Sequence, residues 1–169
     1  MTTYMYTTSV PVFKQLLNSL SVILTKAEAY ATEKKINPTV LLEARLYPNM
    51  FPLSRQVQIA TDFARSVPAR LAGVEVPAYD DNEQNFAELQ TRISKTLSFL
   101  ESLTPSQFEG SETREIVLRP GTPKEKKLVG HTYLSNYGLP QFLFHVTTAY
   151  AILRHNGLEV GKGDFMGAY

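Results

Sequence analysis

The residues of this chain whose types and spacing could do chemistry are a few polar groups set among apolar ones. Gln58 and Asp62 are four residues apart, and so are Gln141 and His145. In a helix that spacing puts each pair on one face. If the two faces oppose, two amides, a carboxylate and an imidazole line one pocket, with Gln56 extending the polar run. His145 itself stands among Phe142, Leu143, Phe144, Val146 and Ile152. A lone imidazole in such company is a core hydrogen-bonder, a pocket group or a metal ligand, and its surroundings leave all three open.

A metal site requires three or more suitable ligands converging on one point. The chain has three histidines, His131, His145 and His155. Along an unbroken helix, His145 and His155 are separated by about 15 Å of rise, which excludes a shared ion. A mixed site with Asp62 or Glu43 stays open. His155, beside Arg154 at a helix end, fits a charge that complements the helix dipole. His131 follows Gly130 and reads as exposed. Asp62 has a second reading as the partner of Arg65 or Arg55. Arg45, beside the turn containing Tyr47, Asn49 and Met50, could hold a carboxylate ligand. Equally, it could pin that turn to Asp62 or to a backbone carbonyl. Tyr150, with Tyr4, Tyr6, Tyr133 and Tyr137, supplies phenols that either reach the interior or pack at its rim.

Helices must position these groups. Val10, Phe13, Leu16, Leu17, Leu20, Ile23, Leu24, Ala27 and Ala31 recur at helical spacing and predict a long helix over about 9–35. Asn37 and Pro38 open a short helix to about Leu46. A second long helix is expected from Pro52 to Leu71, bent near Pro68 and stopped by Gly73. The acids of VEVPAYDDN suit the N-cap of a third, over about 82–103, and Thr104-Pro105 opens one short turn. Two β-prone stretches, 115–118 and 126–129, flank Arg119-Pro120-Gly121-Thr122-Pro123 and predict a hairpin. Residues 131–137 read as helical, Gly138-Leu139-Pro140 as an interruption, and the His145 helix runs to Asn156 and Gly157. The tail reads as an irregular strap. These elements define a four-helix bundle with a short β-hairpin before the last long helix.

At 169 residues, the chain is expected to form one domain over 1–169. Seventeen basic and sixteen acidic residues leave a net charge of +1, and no basic stripe points to nucleic acid. There are no cysteines, which removes disulfides, thiolate nucleophiles and cysteine-held zinc. No signal segment and no membrane span is read, and a cytoplasmic location is expected. Nucleotide loops, nucleophile elbows, HExxH and calcium loops are missing from the sequence.

The stretches EARLYPNMFPLSRQVQIATDFARSVPARLAG and LPQFLFHVTTAYAILRHNGLEVGKGDFMG resemble the family known as domain of unknown function nineteen ninety-three. The resemblance covers nearly the whole chain and places it in the DinB/YfiT-like superfamily of four-helix bundles. Many members of that superfamily are regarded as metalloenzymes, some as thiol-dependent transferases, and they commonly dimerise. The resemblance implies a metal site with one histidine on the second long helix and an HxxxH pair on the last. QVQIATDFAR puts Gln58 at the first of those positions, and QFLFHVTTAY puts Gln141 and His145 at the other two. His131 falls where the family more often has an amide, and Asn49 where it more often has an aspartate.

The expectation is a homodimeric DinB-like bundle whose metal pocket has been rebuilt around His145, Gln58 and Gln141 to take a small molecule, with no cofactor. One alternative is a metal-dependent hydrolase or thiol transferase that holds zinc or nickel on His145 and Asp62. Another is a non-catalytic scaffold or stress protein whose buried polar groups specify packing.

Overall fold

The structure is a computed structural model and describes residues 4–169. A short helix, α1 (Tyr4–Thr7), leads into the first long one, α2 (Val10–Glu33), whose Pro11 sits in the first turn where no N–H is needed. The apolar residues that predicted α2 are all buried. Helix α3 (Pro38–Leu42) starts where Asn37 caps the Thr39 N–H at 3.0 Å. It ends four residues before Leu46, because Ala44 turns its carbonyl to Leu53 N across the following loop.

The second long helix is α4 (Leu53–Ala72), continuous through Pro68 and closed by Gly73 at φ +70°. There the Val74 N–H returns to the Ala69 carbonyl, the left-handed ending that glycine accommodates without strain. The third, α5 (Phe86–Ser102), begins later than the acids suggested. Asn85 is its cap, taking the Glu88 N–H at 2.9 Å, and the preceding acids are committed elsewhere. A 3₁₀ turn over Pro105–Phe108 follows, as Thr104-Pro105 implied. The hairpin forms as read, with β1 (Glu115–Leu118) antiparallel to β2 (Lys126–Val129) and Ile116 opposite Leu128.

From the hairpin the chain runs directly into helix. Residues Gly130–Thr132 (α6), a π turn over Tyr133–Gly138 and α7 (Leu139–His155) follow without a break. Thr132, Tyr133, Gly138 and Leu139 all keep right-handed helical angles. Pro140 has no N–H to offer the preceding turn, and its ring crowds the carbonyl that would receive it. Widening that turn to π spacing accommodates both, so the interruption at 138–140 is a bulge and the helix stays whole. His131 and His145 therefore share one axis, about 21 Å of rise apart. Gly138 lets the bulge sit against α4, since a Cβ there would meet both Val67 methyls at 2.8 Å.

The tail departs from the irregular strap expected of it. It contains a one-turn helix, α8 (Lys162–Met166), held to α2 by Lys26–Asp164 at 2.5 Å and Gln15 Nε2 donating to Met166 O at 2.9 Å. Five residues are too few to show a helical period. In the bundle, α4 packs between α5 and α7, and α2 closes the ring against both. Apolar side chains from all four long helices form one contiguous buried cluster. His145 enters this core where α7 crosses α4.

Candidate functional site

His145 is 8 % exposed on the α4-facing side of α7. Its Nδ1 is 2.7 Å from Oε1 of Gln56, and Gln56 is itself buried. The orientation of that amide is decided by its other end, where Nε2 donates to the Phe51 carbonyl at 3.1 Å. The oxygen left to face the imidazole can only accept, so Nδ1 must carry the hydrogen. Nε2 then has a bare lone pair. It has no hydrogen-bond partner among the described residues, and it is not sealed from solvent as the orphaned nitrogens of Arg65 are.

Aromatic rings complete the surroundings. Phe63 lies nearly parallel to the imidazole at 6.1 Å, and Phe144 meets it edge-on at 5.2 Å. The π turn extends this wall, because Tyr137 packs on Phe63 at 5.8 Å and Tyr133 stacks on Tyr137 at 5.7 Å. Tyr133 is fully buried, with its hydroxyl accepting from Arg70 Nη1 at 3.3 Å. Burial raises its pKa against the opposing charge of Arg70. For His145, burial is the largest influence and the Arg55 charge adds to it, with Asp62 opposing; the pKa falls to about 4. The imidazole is thus neutral at ordinary pH.

Gln58 is not part of this contact. Its Oε1 takes a hydrogen from Arg55 Nη1 at 3.0 Å, and its Nε2 donates to Glu83 at 2.9 Å. Asp62 accepts from Arg65 at 2.7 Å and from Arg92 at 2.6 Å, so both of its partners are arginines. Gln141 is half-buried one turn before His145, and its side chain makes no hydrogen bond among the described residues. Arg45 is exposed and pins the turn at its far end through the Met50 carbonyl at 3.2 Å. Tyr150 lies against the tail, edge-on to Phe165 at 5.8 Å and within 3.4 Å of the Val160 carbonyl. Glu43 is exposed at the end of α3, His131 is exposed, and the close of α7 is bonded by Asn156 in place of His155.

Beside the imidazole lies a charge network that the sequence reading did not assemble. Arg92 is 2 % exposed, and every nitrogen of its guanidinium is bonded. Nε donates to Thr61 at 2.6 Å, Nη1 to Glu83 and the Asp80 carbonyl, and Nη2 to Asp62 and Asp81. Burial works against its charge, but Glu83, Asp62 and Asp81 outweigh that and raise its pKa. Tyr79 lies over Arg65 at 4.1 Å and over Arg92 at 5.4 Å. Burial likewise opposes ionisation of Asp81, yet Arg55 and Arg92 hold its carboxyl below its ordinary value. This network straps the 79–83 loop across α4 and α5, which is why its acids do not cap α5. The available signal was Arg92 itself, three residues after Leu89 and one before Ile93 on the buried stripe of α5.

The donors present do not fit a three-histidine metal centre. One imidazole nitrogen is free, the Gln58 oxygen faces a cation, and Asp62 is shared between two more. Among the described residues, no three His, Cys, Asp or Glu groups are placed to hold a metal ion.

A four-helix ring with a hairpin before its last helix, and a polar site between its second and last long helices, is the DinB-like class of bundle. The chain belongs to the family described as domain of unknown function (DUF1993), whose model matches residues 5–166. It is similar to a crystal structure of a DinB family member protein from Shewanella denitrificans, with 43 % identity and a TM-score of 0.91. That match covers 97 % of this chain and 92 % of the other. No curated protein matches the chain. No helix among the described residues is long and apolar enough to cross a membrane.

Proposed function

We propose that this protein binds a small molecule at His145, in a pocket that has left metal chemistry behind. One observation carries the reading: Gln56, oriented by Phe51, holds His145 in the tautomer whose Nε2 lone pair is free. A nitrogen with no protein partner that stays open to solvent is held by water, which a ligand donor can replace. Here that nitrogen is an uncharged acceptor beside aromatic walls, suited to a hydroxyl or N–H of a ligand. Next to Phe144, a shallow hollow of about 460 Å³, lined also by Leu46, Met50, Pro140 and Leu143, offers room for an apolar body. The cation Arg55 beside the site argues against a resident divalent ion.

A second copy of the chain would close the open side of this pocket. Leu46, Leu143 and Phe144 in its lining are exposed, Phe144 more than half, and the lining of the hollow carries no charge to repel its own image. Light scattering should give a dimer, and Phe144→Asp a monomer; a monomeric wild type overturns this part. A cytoplasmic location is part of the same proposal.

Metal and ligand analysis of protein purified without a histidine tag tests the main reading. The wild type should contain no stoichiometric metal and should release a small molecule that His145→Ala protein does not hold. Stoichiometric zinc or nickel lost in the variant would restore the metal-dependent alternative. Identical ligand content, with only a lower melting temperature in the variant, would leave packing as the role of His145.

A further inference from the structure

Apolar residues stand even on the side of α7 that turns away from the bundle, where Leu143 and Phe144 are exposed. A surface helix ordinarily turns polar groups outward, and one that does not is suited to being covered. Pro140, Phe144, Thr147 and Ala151 follow one another at helical spacing along that side, about 16 Å from first to last. The hollow of about 460 Å³ beside Phe144 lies on this stripe. A second hollow, of about 170 Å³, opens between α7 and α8, walled by Thr147, Tyr150, Lys162 and Phe165. Thr147 belongs to both walls, so the two hollows meet at its side chain and make one apolar trough ending at the tail.

Helix α8 forms that end. It adds nothing to the core, since none of its residues is buried, yet it is firmly placed. Asp164 takes the Gly161 N–H at 2.8 Å and Lys26 Nζ at 2.5 Å, and Phe165 meets Tyr150 edge-on at 5.8 Å. With Asp164 committed to Lys26, Lys162 has no carboxylate partner among the described residues, and it is the single charge in the walls of the trough. The hydroxyls of Thr148 and Tyr150 are already given to the Phe144 and Val160 carbonyls. The walls therefore offer chiefly hydrophobic contact until they reach the ammonium.

We propose that this trough binds a medium-chain fatty carboxylate, its alkyl chain laid along Phe144, Thr147 and Ala151 and its carboxylate paired with Lys162 Nζ. One positive charge at one end, and none elsewhere, sets both the sign and the direction of the ligand. The second copy placed over the hollow above would roof the alkyl chain. The trough shares that hollow with the reading above but needs no contact with His145, so the two are tested separately.

Octanoate, with octanol as its uncharged counterpart, is titrated into the full chain while NMR follows the Thr147 methyl and the Phe165 ring. Octanoate should shift both signals saturably and bind about threefold to fivefold more tightly than octanol, the gain expected of a partly exposed ion pair. Lengthening to decanoate should tighten binding by up to about fourfold per methylene, the equivalent of about 0.8 kcal/mol. Lys162→Glu should abolish the preference for the acid and take octylamine in its place. Thr147→Trp, at an exposed position that tolerates size, should block the junction and weaken both acids. Equal binding of octanoate and octanol, an acid preference that survives in Lys162→Glu, or an affinity indifferent to chain length overturns the proposal. So does the absence of saturable shifts at Thr147 and Phe165. Those failures strike the trough alone, and the His145 reading is still judged by the metal and ligand analysis above.

Discussion

Oε1 of Gln56 lies 2.7 Å from Nδ1 of His145, joining two buried side chains from facing helices. This bond decides which imidazole nitrogen faces the pocket, because the Phe51 carbonyl has already fixed which end of the amide is the acceptor. The rest of the site follows from it. An apolar replacement such as Gln56→Leu leaves the Nδ1 hydrogen unpaired and should cost about 1–3 kcal/mol in urea unfolding. Gln56→Glu should act in the opposite direction on the imidazole, since a facing carboxylate favours the protonated ring. The His145 pKa should then rise well above its wild-type position, as followed by NMR titration.

Stability should depend on pH through the same residue. His145 has its pKa lowered from 6.5 to about 4 by folding, so the unfolded chain binds its proton first. Its contribution is fully favourable above pH 6.5, is lost progressively as pH falls, and stops changing below about 4. The whole loss is about 3 kcal/mol. Urea midpoints measured from pH 7 to 4 should fall for the wild type and fall less for His145→Gln, the difference growing through that window.

Arg92 neutralises three carboxylates from a position that is 2 % exposed. Arg92→Met should leave Asp62, Asp81 and Glu83 without their shared cation and cost about 3–5 kcal/mol. By contrast, breaking the exposed hairpin pair Lys127–Glu115, at 3.4 Å, should change stability by less than about 1 kcal/mol. Equilibrium denaturation of the two variants side by side makes the comparison.

Gly138 marks the closest approach of the π turn to α4. Gly138→Ala places a methyl 2.8 Å from both branches of Val67 and should cost about 1–3 kcal/mol. The double variant Gly138→Ala with Val67→Ala should recover part of that loss, a coupling readable in a thermal unfolding cycle.

The four long helices and the hairpin were legible because each is long enough, or alternates clearly enough, to show its period. The five residues of α8 were not, and α5 was placed too early because acids that could cap a helix serve Arg92 and Arg55. At the site, the sequence placed His145 on the correct face but paired it with Gln58. Residues two apart on a helix point about 200° from each other. Because α4 is covered by α5 on one side and α7 on the other, burial alone could not say which glutamine met the imidazole. Gln56 faces α7, and Gln58 faces Arg55 and the 79–83 loop. Likewise, the Gly138-Leu139-Pro140 break was a sound local inference that a widened turn absorbs.

His145 presents a neutral, fixed Nε2 acceptor, a state that long-range ¹H–¹⁵N NMR of the imidazole across a pH titration reads out. The expected spectrum has hydrogen on Nδ1, an unprotonated Nε2, and no titration until about pH 4. A ring that titrates near 6.5, or one that carries its hydrogen on Nε2, would contradict the account.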